Sequence, residues 1–183
     1  FFKTPSRLLL VAGDAGYGEQ ELVSNIIERL QLSLSLDAKL LRASVTSATQ
    51  GSSSVRLLKA LLFQLLDQSI GDTGLLDAIN TVRKRSETES AEKTEDLLWE
   101  LLGDRCSKAS GNVAIVINTI DSHGTDSSSK FLAKLQALTS KCENIRCLAL
   151  ADADSARSIS GTQIYTLSRM DIRRNARSFM QMA

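Results

Sequence analysis

A chain of 183 residues with 43% hydrophobic content can bury one substantial core, and one α/β domain accounts for all of it. Its 22 basic and 21 acidic side chains leave a formal charge of +1, which excludes a global field favouring nucleic acid or an anionic membrane surface. Apolar runs stop short of the ~20 residues that a spanning helix needs and no signal peptide opens the chain, so an intracellular protein, cytoplasmic or nuclear and without membrane contact, is expected.

The chain starts at Phe1 with no methionine, which suggests a piece of a longer protein. Cys106, Cys142 and Cys147 are odd in number and lack C-x-x-C spacing, which argues against a disulfide framework and a zinc site and for buried thiols. His123 is the single histidine, so no metal triad is expected and no serine–histidine–aspartate relay can call on a second one.

In chain order, Leu8 to Val11 read as a buried strand, followed by a turn containing Gly13, Gly16 and Gly18. A helix follows with Leu22, Val23, Ile26, Ile27 and Leu30 on one face. Lys39 to Val45 reads as a second strand, and the Ser/Thr/Gly cluster from Ser47 to Ser54 as a loop. Val55, Leu58, Leu61, Leu62, Leu65 and Leu66 mark a helix that Gly71 stops, and Leu75, Leu76, Ile79 and Val82 a shorter one after Gly74. The segment from Arg83 to Asp96 is charged and poor in large apolar groups, so it is expected to be a flexible connector plus the first turn of the next helix. That helix carries Leu97, Leu98, Trp99, Leu101 and Leu102 to about Lys108, and Gly111 and Asn112 break it.

Val113 to Ser122 is a continuous apolar run of the kind a strand buried on both faces requires. Ser127 to Ser129 lead into a helix with Phe131, Leu132, Leu135 and Leu138; Ile145 to Ala151 and Ile164 to Leu167 read as strands, and a last helix runs from about Arg169. Alternating strands and helices predict a three-layer α/β sandwich, with a mostly parallel sheet of about five strands and helices on both faces.

The chemistry centres on the first turn. Strand, glycine turn and helix form the frame of a phosphate-binding loop, in which backbone N–H groups and a helix N-terminus point at an anion. Gly13 through Gly18 fits G-x-x-x-x-G-K-[ST], but Glu19 and Gln20 stand where the chemistry wants a lysine and a hydroxyl. A charge pair about 4 Å apart is worth roughly 4 kcal/mol at an effective dielectric near 20, so reversing its sign is a large change. Asp14 and Glu21 add negative charge to the same turn, while Gln20 offers magnesium only a neutral amide oxygen. A polyphosphate should be repelled from this mouth.

With these elements in order, the chain resembles the NACHT family of signal-transducing P-loop NTPases, in particular those of heterokaryon-incompatibility proteins. The resemblance runs through the glycine loop, VRLLKALLFQLL, IVINTIDS in place of an hhhIDALDE-like acidic motif, IRCLALA and IYTLSRMDIRRNARSFM. It implies a P-loop NTPase fold over residues 1–183, and also where the family's chemical groups should sit. Asn118 takes the place of the aspartate that organises magnesium, Asp121 keeps the second acidic position, and Ser122 stands where a catalytic carboxylate often follows. Ala151 to Asp154 do not supply the Ser/Thr-Arg pair that ends the family's fourth strand, and Arg157 is the nearest arginine.

Phosphoryl transfer depends almost wholly on positioning and electrostatic stabilisation, and Glu19, Gln20 and Asn118 remove phosphate charge, metal ligation and metal positioning together. Lys3 or Arg7 is the sort of residue that would have to compensate. The expectation is a catalytically inactive pseudo-NTPase without bound ATP, GTP or magnesium, acting as a structural or protein-interaction module for a protein partner. The alternatives are a nucleotide switch with weak, atypical ATP or GTP binding, and a nucleic-acid-associated module using Arg169, Arg173 and Arg177 of the last helix.

Overall fold

The computed structural model describes residues 7–12, 19–35, 37–44, 53–69, 72–120, 125–151, 156 and 162–166. Along them run β1 (Leu8–Ala12), α1 (Glu19–Ser33), β2 (Lys39–Ser44), α2 (Ser53–Asp67), α3 (Thr73–Ser86) and α4 (Ala91–Ser107), then β3 (Val113–Ile120), α5 (Thr125–Lys141), β4 (Ile145–Ala151) and β5 (Gln163–Thr166). The five strands form one sheet in the order β2-β3-β4-β1-β5, and every neighbouring pair is parallel. The expected α/β sandwich is present, with a wholly parallel sheet among the described residues.

The layering follows from the handedness of the crossovers. From β1 the chain crosses to the far edge at β2 and then steps back through β3 to β4. Right-handed crossovers that travel in opposite directions deposit their helices on opposite faces. Leu22, Val23, Ile26 and Leu30 of α1 accordingly pack on Leu9, Val11, Val116, Leu148 and Leu150. The other face, with Leu8, Leu10, Leu41, Ile115, Ile117 and Cys147, receives α2, α4 and α5. Burial on both sides is why β1, β3 and β4 read as unbroken apolar runs.

Trp99 of α4 and Phe131 of α5 join their helices with ring centroids 5.1 Å apart and planes tilted by 54°, a contact worth about 0.5–1.5 kcal/mol beyond its buried area. Gly111 has a packing reason beyond ending a helix. A Cβ there would lie 2.3 Å from the carbonyl oxygen of Asp37.

Several helix starts come earlier than the apolar spacing predicts, α2 at Ser53 inside the expected loop and α5 at Thr125 before Ser127, and for α3 and α4 the caps give the reason. α3 begins at Thr73, before Gly74, because Asp72 caps it by accepting from the Leu75 N–H at 2.9 Å. Arg105 secures that cap by donating to the Gly74 carbonyl at 2.8 Å. α4 begins at Ala91 behind the N-cap Ser90. Of the charged segment 83–96, only 87–90 therefore lies outside a helix, and Thr94 within it is buried.

Candidate functional site

At the carboxyl ends of the strands, the register sets Ile120, Ala151, Ala12 and Thr166 in one row across β3, β4, β1 and β5. β1 leads to α1 on one face and β3 leads to α5 on the other. Open α/β sheets take their ligands outside the carboxyl ends of the strands, where successive connections diverge in this way.

β1 ends at Ala12, and α1 begins at Glu19. Gly13, Gly16 and Gly18 themselves lie outside the described residues, as do Asp121, Ser122, His123, Arg157, Arg169, Arg173 and Arg177. What is described is what flanks them: a buried strand and, across six positions, a helix whose first two residues are Glu19 and Gln20. A carboxylate in the first turn of a helix complements the helix dipole by about 0.3–1 kcal/mol, where a lysine would oppose it.

Asn118 is half-buried near the end of β3, opposite Ser44 of β2. Toward β4 the ladder slips just here: Ile117 pairs with Ala149 and Ile120 with Ala151, so three steps on β3 answer two on β4. A bulge of this kind re-aims side chains and recurs beside active sites. β4 separates β3 from β1, so the acidic-motif strand and the glycine-turn strand stand about 10 Å apart.

Arg7 is not a stand-in for the missing lysine. It precedes β1, at the amino end of the sheet, roughly 16 Å from Ala12 at ~3.3 Å per residue. Its guanidinium donates to the carbonyls of Thr139 and Ser140, each at 3.4 Å, and lies 3.7 Å from Glu143. It holds the carboxyl end of α5.

The first turn of α2 is braced by a polar node that apolar periodicity did not reveal. Glu95 of α4 accepts from Ser54 Oγ at 2.7 Å, Trp99 Nε1 at 3.3 Å and Lys134 Nζ at 3.3 Å, and Lys134 also reaches Asp96 at 2.7 Å. Burial alone would lower the Lys134 pKa, but its hydrogen bonds and charge interactions with Asp96 and Glu95 outweigh that and raise it. The node fixes the first turn of α2 against α4 and α5.

Cys106, Cys142 and Cys147 are buried free thiols. Burial pushes Cys106 up to about 12 and raises Cys142 and Cys147, so none is poised as a nucleophile. Among the described residues there is no group of three or more His, Cys, Asp or Glu that could hold a metal, and no helix long and apolar enough to cross a membrane.

The family model described as Nephrocystin 3, N-terminal, matches residues 2–151. The chain belongs to the nephrocystin 3 N-terminal family. This is a NACHT-associated, P-loop-like region, in agreement with the sheet and the glycine frame. Among solved structures the chain is similar to Cdc6p from Pyrobaculum aerophilum at 12% identity and a TM-score of 0.52, covering 91% of this chain and 41% of that one. That likeness carries the fold alone: a P-loop NTPase-like sandwich, matched over less than half of the other protein's length. No curated protein sequence matches the chain.

Proposed function

We infer that this P-loop NTPase-like domain is a catalytically inactive pseudo-NTPase that acts as a structural or protein-interaction module in a larger intracellular protein. The observation that carries the reading is the start of α1 at Glu19 and Gln20. These are the two positions at which a working phosphate loop presents its lysine and its magnesium-binding hydroxyl. Asn118 near the end of β3 supports it, since a neutral amide offers a cation no charge. One observation favours the second reading, a weak nucleotide switch: the strand–turn–helix frame is intact in length, so an anion would still meet a helix N-terminus.

Thermal melting with ATP or GTP and magnesium separates the two. A ligand at 100 times its Kd adds ~2.7 kcal/mol to stability, which for a domain of this size moves Tm by about 5–10 °C. We expect no shift, and a saturable rise would favour the switch. The companion variant is Glu19→Lys with Gln20→Thr and Asn118→Asp, which rebuilds the phosphate and magnesium groups at the ends of α1 and β3. Calorimetry should then detect binding of ATP with magnesium. A variant that folds like the parent and still gives no heat would mean that other side chains close the cleft or that the glycine turn is not a phosphate cradle.

A further inference from the structure

β2 is the outer strand at one side of the sheet, yet its outward backbone is occupied. The Leu40 N–H donates to Gln68 Oε1 at 3.0 Å, and Gln68 Nε2 donates to the Leu40 carbonyl at 2.9 Å. Two residues along, the Arg42 N–H donates to Gln64 Oε1 at 2.8 Å and Gln64 Nε2 donates to the Arg42 carbonyl at 2.6 Å. Each side-chain amide thus offers the donor and acceptor that a residue of a sixth strand would offer. The spacing explains why this works: four residues of helix advance ~6 Å, and two residues of strand ~6.6 Å. Lys39 Nζ, donating to the Gln68 carbonyl at 2.6 Å, fastens the same end.

An open strand edge is a template for another chain. A second copy of β2, placed antiparallel about a two-fold axis at Leu41, would set Leu40 opposite Arg42 of its partner. It would form four backbone hydrogen bonds per dimer, which satisfy the same four outward backbone groups on each copy that the two glutamines now satisfy. No like charges would face each other. The glutamines are tethered to the same chain, so their effective concentration outweighs that of a free copy.

We propose that Gln64 and Gln68 are a strand-mimicking lock that keeps the β2 edge closed to a second copy of this chain, so that freeing α2 from β2 turns the monomer into a β2–β2 dimer. The test is Gln64→Ala with Gln68→Ala in the full 183-residue chain, followed by sedimentation and by hydrogen exchange at the Leu40 and Arg42 amides. Gln64→Met with Gln68→Met, which keeps length and helix propensity without the amide, replaces it if the alanine variant loses its circular dichroism. These amides should be slow in the parent, and at low concentration should exchange at least roughly tenfold faster in the variant. The variant's mass should double as concentration rises. Adding Arg42→Pro removes an outward N–H that β3 does not use, and should restore the monomer. A variant that stays monomeric with both amides open, a dimer that survives Arg42→Pro, or a parent in which both amides exchange like exposed ones would overturn the proposal.

Discussion

At the scale of single residues, Glu95 has the widest reach of any described carboxylate, because Ser54, Trp99 and Lys134 all donate to it from three helices. Removing an acceptor from partly buried donors costs about 1–3 kcal/mol, more than an exposed ion pair contributes. Glu95→Ala should lower the unfolding free energy by that amount in a urea titration, and Asp96→Ala, at a more exposed carboxylate, by under about 1 kcal/mol. Equal effects would mean that water already satisfies Ser54 and Trp99. Nothing in the local sequence distinguishes Glu95 from its neighbours. Its role comes from the crossing of α2, α4 and α5.

At the scale of elements, the stretch between α3 and α4 shows how capping overrides composition. The polar run from Arg83 to Asp96 lacks the apolar groups that repay ordering entropy, yet most of it is helical. Ser90 accepts from the Lys93 N–H and so starts α4 early, and Thr94 and Glu95 then turn inward. A glutamate-specific protease should therefore cut first after Glu87 or Glu89, in the turn, and later after Glu92 or Glu95, in the helix. First cuts at Glu92 would show that the opening turn of α4 does not hold.

At the scale of the whole molecule, the buried thiols and Lys134 give stability one alkaline signature. Above pH 9.0, the ordinary thiol value, an unfolded chain sheds protons that Cys106 keeps until about pH 12 in the folded state. The unfolded state then binds fewer protons, so stability falls as pH rises, by up to ~1.4 kcal/mol per pH unit for each such thiol. Lys134 acts with the same sign: its raised pKa stabilises fully below 10.5, and the gain is lost as pH climbs through the folded value. Urea midpoints should be flat from about pH 7 to 8.5 and decline steadily above pH 9. Cys106→Ala with Cys147→Ala should flatten the first part of that decline. A parent whose midpoint does not change between about pH 9 and 10.5 would mean that these thiols are not held protonated by the core.

The sequence by itself determined the class of the fold. Long apolar runs are required of strands covered on both faces, and apolar spacing of 3.6 is required of the helices that cover them, so β1, β3, β4, α1 and α2 were legible. The start of α1 at Glu19 and Gln20 was legible too, because a motif of fixed spacing is local in the chain. Tertiary structure alone decided what depends on neighbours distant in sequence. It put β4 between the glycine-turn strand and the acidic-motif strand, placed the bulge at the end of β3, and turned Arg7 to the opposite end of the sheet. It also set Gln64 and Gln68 against the edge of β2. The physical reason is that hydrophobic patterning encodes which face of an element is buried, whereas strand order and polar pairing depend on which elements meet, and that is fixed only when the crossovers close around the sheet.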